Sequence, residues 1–200
     1  MHLPKRIFFT GVPGSRWSGI AQVLEERLGL NTSDRIPDRE YLSDKYSGHK
    51  GSYFGAGMEF PALFGYIDQA HTVQSGCKLI KSHEWAFKLD EIKEHFPEDG
   101  IFMVYRDNKA SFDWWKEAGG FNISYPSYIA YKNDENMQLQ IKLQNESILD
   151  FCDYHGIKME SFDCYWMYKT FGIHCDDMND RFAQWDDCFV AYIGPTYDRD

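Results

Sequence analysis

The sequence predicts an α/β fold of three layers, with helices on both faces of a mostly parallel central sheet, in a single domain over residues 1–200. Three observations predict it. Short apolar runs rich in β-formers alternate with segments of helical period, the pattern of βαβ units. The run Ile101-Phe102-Met103-Val104-Tyr105 is continuously apolar, as expected of a strand covered on both faces. No repeat, low-complexity tract or linker divides the 200 residues, and 43% hydrophobic content suits one sizeable core.

Taken in order, the first strand is Ile7–Thr10. It breaks at Gly11, passes through Pro13-Gly14, and gives way to a helix with Ile20, Val23, Leu24 and Leu28 on one stripe. Residues 31–57 are polar and rich in Gly, Ser, Asp and Tyr, a long excursion of little regular structure, and His49–Phe60 reads as a substrate-covering loop. A helix is expected from Ala62 to Ala70, with Leu63, Tyr66 and Ile67 on one face. A strand follows at Gly76–Lys81, then a helix from Trp85 to Phe96 closed by Pro97. After the strand at Ile101–Tyr105, a helix runs from Lys109 to Ala118 and is stopped by Gly119-Gly120. A longer helix spans about Asn133 to His155, a short one Phe162 to Thr170, and Cys188–Ile193 is the last strand before an acidic tail.

Composition narrows the function. The net charge of −10 argues against a general nucleic-acid binder and against an anionic membrane surface. It also makes any local cluster of cations informative. Fifteen Phe, thirteen Tyr and six Trp exceed what a core alone requires, so some should line a cleft or stack on a ring-bearing ligand. Five cysteines with no C-x-x-C pair read as reduced thiols, which places the protein in the cytoplasm. The spacing of Cys164, His174, Cys175 and Asp176 matches no zinc-ligand pattern, and no metal site is expected. Residues 1–10 have no signal-peptide core, and no apolar run approaches a membrane span.

In open α/β sheets, ligands bind outside the carboxyl ends of the strands. After the first strand comes the loop Gly11-Val12-Pro13-Gly14-Ser15-Arg16-Trp17-Ser18, which aims backbone N–H groups and a positive helix end at one point, a place for an anion such as phosphate. It lacks the Lys-Ser/Thr pair of a Walker loop. After the second strand comes Lys81-Ser82-His83. In extended chain, Lys81 and His83 project to the same side, a general base beside a charge stabiliser. After the third comes Arg106-Asp107-Asn108-Lys109-Ala110-Ser111. Three separate strands therefore each end in groups suited to binding anions or moving protons.

Together these motifs resemble the PAPS-dependent sulfotransferases, over about residues 5–30 and 76–120. The resemblance implies a P-loop-like architecture and 3′-phosphoadenosine-5′-phosphosulfate (PAPS) as donor. It gives Pro13, Gly14, Ser15, Arg16, Trp17 and Ser18 the 5′-phosphosulfate, His83 the role of base, and Lys81 a place near the sulfuryl group. Arg106 and Ser111 are assigned the 3′-phosphate. The chain departs from the family pattern at Gly14, where a Lys or Arg is usual, and Arg16 is read as the substitute cation. Ser111 comes early after Arg106, and the Gly-rich basic segment near the C-terminus is missing. The resemblance implies an acceptor with a hydroxyl or amine, and small molecule, carbohydrate, lipid and peptide all stay open. A kinase-like phosphotransferase or a non-catalytic adenosine-phosphate binding module would share the sheet and loop. The kinase needs a loop Lys and a magnesium-holding pair, and the binding module has no need of a base.

Overall fold

The computed structural model describes residues 3–30, 63–67, 76–123 and 132–195. The expected loop over 31–57 lies outside them, as does the segment 49–60 read as a substrate cover. Of the expected helix over 62–70, the described part holds a single 3-10 turn at Phe64–Tyr66.

Among the described residues, five strands form one open sheet: β1 (Arg6–Gly11), β2 (Lys78–Lys81), β3 (Gly100–Arg106), β4 (Glu160–Ser161) and β5 (Cys188–Ile193), in the order β2-β1-β3-β5-β4. β1 pairs in parallel with β2 on one side (Phe9↔Lys81) and with β3 on the other (Gly11↔Val104). β5 is antiparallel to β3, with Arg106 opposite Cys188, and β4 is antiparallel to β5. The sheet is therefore mixed, where alternation of strands and helices alone had implied a mostly parallel one. Because the chain leaves β1 for β2 on one side and returns to β3 on the other, a crevice opens at the carboxyl ends of β1 and β3.

The helices are α1 (Trp17–Arg27), α2 (Leu89–His95), α3 (Asn108–Glu117), α4 (Asp134–Tyr154), α5 (Cys164–Phe171) and α6 (Asn179–Phe182). Alternation along the strands sorts the core into two halves. Ile7, Phe9, Phe102 and Val104 face one side with Ile20, Val23 and Leu24 of α1 and Trp166 of α5. Phe8, Ile101 and Met103 face the other with Ile92 of α2 and Ile148 of α4. The segment expected as one helix over 85–96 begins as a 3-10 helix at His83–Lys88, capped where Ser82 Oγ accepts from Glu84 N at 3.2 Å. Among the described residues, no helix is long and apolar enough to cross a membrane.

The antiparallel direction of β5 sets where its approach runs. Since β5 begins at the end of the sheet where β4 finishes, the chain between them starts and ends at the carboxyl ends of the parallel strands. Its return limb climbs along α1. Arg27 at the foot of α1 meets Asp177, Arg181 reaches Glu26 at 2.9 Å, and Trp185 lies against Gly19 near the top.

Candidate functional site

The loop after β1 is built by two left-handed residues. Ser15 N closes a turn on Val12 O at 3.0 Å, Gly14 sits at φ 80°, and Arg16 sits at φ 64°, ψ 8°. At position 14 a Cβ would stand 1.9 Å from the carbonyl oxygen of Ser111. Only glycine fits there, so neither Lys nor Arg can stand at this position. A left-handed arginine costs about 1–3 kcal/mol, so its neighbours must hold it. The Arg16 guanidinium carbon lies 3.4 Å from the ring centre of Trp114 on α3. Arg16 caps α1 without a side-chain capping bond, and no acidic residue stands in the first turn of the helix. Burial foremost, then the nearby Arg106, lowers the affinity of Arg16 for its proton. Its Nε is buried without a hydrogen-bond partner among the described residues. Ser15 is fully buried inside the loop and does not line the cleft beside it.

His83 follows β2 and is 1% exposed. Its Nδ1 lies within hydrogen-bond reach of the Gly11 carbonyl, and its ring centre is 3.9 Å from that of Trp17. A carbonyl only accepts, so Nδ1 carries the proton and Nε2 is the basic nitrogen. Burial pushes the imidazole down to about 4, against the opposing pull of the Gly11 bond and Glu84. It is therefore neutral at ordinary pH. Lys81 also leans toward α1, but to a different level: its Nζ is 3.8 Å from Glu25 Oε1. Trp17 and Glu25 are eight residues apart, about 12 Å of helix rise, so the sequence pattern places both side chains on one side without bringing them together.

Arg106 is turned inward. Its Nε and Nη2 hold Asp187 Oδ2 at 2.7 and 2.6 Å, and Nη1 donates to the carbonyls of Gly14 at 3.1 Å and Ala110 at 3.2 Å. Ser111, fully buried, donates to Arg106 O at 3.3 Å. These two residues, assigned to a 3′-phosphate by resemblance, clamp the loop to β3 and to the start of β5.

Beside the loop opens a cleft of about 290 Å³. Four tryptophans wall it: Trp17 from α1, Trp114 and Trp115 from α3, and Trp185 from the return limb. Arg16, Arg181, Gln184 and His83 also line it, while no Asp or Glu among the described residues does. No protein-family model, curated protein or solved structure matches the chain.

Sequence reading missed Trp114, Trp115, Arg181, Gln184, Trp185 and Asp187. Only the surplus of aromatics hinted at them, because a cleft assembled from three distant segments leaves no local spacing to read. Two residues of α4 were missed for the same reason. Gln144 Nε2 donates to the His83 carbonyl at 3.3 Å, as does Thr10 Oγ1 at 3.3 Å. Asn145 Nδ2 donates to Arg106 O at 2.8 Å and to Asn108 Oδ1 at 2.6 Å. One helix thus ties the ends of β2 and β3 to a common support. Cys188, its thiol pushed up to about 12 by burial, stays protonated and points Sγ at Ser15 O at 3.6 Å. Such an arrangement can hold a ring-bearing polyanion and accept one proton.

Proposed function

We propose that this chain is a PAPS-dependent sulfotransferase, moving a sulfuryl group to a hydroxyl acceptor with release of adenosine 3′,5′-bisphosphate. One observation carries the reading. A neutral imidazole with its tautomer fixed by Gly11 lines the same cleft as Arg16 and the start of α1, and no carboxylate among the described residues joins them. Anion binding alone has no use for that base.

In this reading, His83 Nε2 takes the proton of the acceptor hydroxyl as the oxygen bonds to sulfur. Arg16 and the positive end of α1 meet the charge that grows on the 5′-phosphate oxygen as its bond to sulfur breaks. Arg106 keeps the loop in shape through Gly14 and takes no part in the transfer itself. Atoms balance: the acceptor gains the sulfuryl group, the donor leaves as the bisphosphate, and the proton rests on His83. The residues fit the phosphosulfate end of the donor best, since Arg16 lines the cleft half-buried and its Nε has no hydrogen-bond partner among the described residues. A P-loop-like architecture belongs to the same proposal, supported by the parallel β2-β1-β3 portion of the mixed sheet.

Thermal stability measured with adenosine 3′,5′-bisphosphate, AMP and ATP-Mg²⁺ tests it. Stabilisation greatest with the bisphosphate and independent of magnesium is expected. Stabilisation by ATP only with magnesium points to a kinase-like phosphotransferase instead.

A further inference from the structure

We infer that Arg181, with Gln184 and Trp185 beside it, takes the 3′-phosphate and adenosine end of the donor, in place of Arg106. The inference rests on the sulfotransferase reading and assigns the far end of the same cleft.

Arg106 is not available for a ligand. It spends its fork on Asp187 and two carbonyls, with its side chain only 10% exposed. Releasing it would unpin Gly14 from β3. Arg181 instead meets Glu26 through Nη1 at 2.9 Å, in a pair whose side chains are 32% and 48% exposed. Exposed pairs of this kind contribute little and exchange readily for a better anion. Charge points the same way. The chain has 31 acidic residues against 21 basic ones. Yet among the described residues no carboxylate lines the cleft, and its guanidinium groups are those of Arg16 and Arg181. A lining without carboxylates, with Glu26 reaching Arg181 but not lining the cleft, is suited in so acidic a protein to more than one negative group.

Shape adds to charge. Trp185 lies on α1 at Gly19, where a Cβ would come within 3.0 Å of its Cζ2. The missing side chain lets the indole sit against the first turn of the helix, joining the return limb to the anion loop. Arg181 lies 5.8 Å from the Trp185 ring centre, so cation and aromatic surface are presented together. Trp114, only partly buried, supplies aromatic surface on which a purine can stack, Trp185, itself 5% exposed, completes the wall, and Gln184 adds amide donors and an acceptor. A guanidinium fork beside them matches a phosphate on the ribose.

Calorimetric titration of adenosine 3′,5′-bisphosphate and AMP into three proteins tests this: wild type, R181Q and E26Q. R181Q should weaken the bisphosphate about 10- to 100-fold and AMP by less than about twofold. E26Q, which removes the competing carboxylate, should tighten the bisphosphate about two- to fivefold. Glu26 is exposed and Arg181 partly so, and melting curves of the free proteins check folding. If wild type prefers the bisphosphate and R181Q keeps that preference, the assignment to Arg181 is overturned while the donor reading stands. If wild type binds the bisphosphate no better than AMP, both fall together.

Discussion

At the scale of single residues, His83 joins stability to chemistry. Buried and neutral, it spends Nδ1 on Gly11, which leaves Nε2 as the base of the proposed transfer. His83→Ala should lower sulfuryl transfer by about two to four orders of magnitude, with the affinity for adenosine 3′,5′-bisphosphate changed by less than about twofold. Equal loss of binding and turnover, read from titration and steady-state kinetics, would assign His83 a purely structural role. The same burial has a pH signature. The folded imidazole is held down to about 4 against an ordinary value of 6.5. Between those values the unfolded chain binds more protons than the folded one, so stability rises with pH across that window. The contribution of His83 is complete above about pH 6.5 and drains away as pH falls toward 4, at up to about 1.4 kcal/mol per pH unit. Urea midpoints for wild type and His83→Gln between pH 4 and 7 should converge toward the acid end. Parallel curves would show that the imidazole titrates at its ordinary value.

At the scale of elements, the loop after β1 is a device of backbone shape rather than of side chains. Gly14 at φ 80° nestles against Ser111 of α3, and Arg106 clamps its carbonyl. Gly14→Ala should therefore cost about 2–5 kcal/mol in chemical denaturation, from the left-handed φ and the collision with the Ser111 carbonyl together. A loss under about 1 kcal/mol would mean that α3 gives way easily and that the loop is not held by it. A lysine at this position is excluded on the same ground. In the proposed function the cation is Arg16, at the cap of α1 and leaning on Trp114. α4 performs the matching task from the opposite face, fixing the carbonyls of His83 and Arg106 through Gln144 and Asn145.

At the scale of the molecule, the site lies where three parallel strands end and where the limb before β5 returns along α1. A ligand there touches α1, α3 and that limb at once, so it braces segments far apart in sequence. At a ligand concentration 100 times its dissociation constant, the folded state gains about 2.7 kcal/mol. For a chain of this size that is a rise of about 5–11 °C in melting temperature. Adenosine 3′,5′-bisphosphate should reach that shift, and chelation of divalent metal should leave it unchanged. A shift that vanishes with chelation would remove the sulfotransferase reading.

The sequence by itself determined the elements and the three strand ends. Ile7–Thr10, Ile101–Tyr105 and Cys188–Ile193 are short apolar runs bounded by breakers, and the stripe on 17–27 has helical spacing, so local pattern suffices for them. That Gly11, His83 and Arg106 gather at one end of the sheet also follows from pattern, given parallel strands joined by helices. Two-residue β4 and the turns over 176–185 escaped, being too short to show a period. Only the tertiary structure decided which groups face the cleft. Arg106 chose Asp187, 81 residues away, Lys81 chose Glu25, and Trp114, Arg181 and Trp185 arrived from separate segments to close the wall. Such partnerships depend on the reversed direction of β5 and on packing across the sheet, and neither leaves a trace in local spacing.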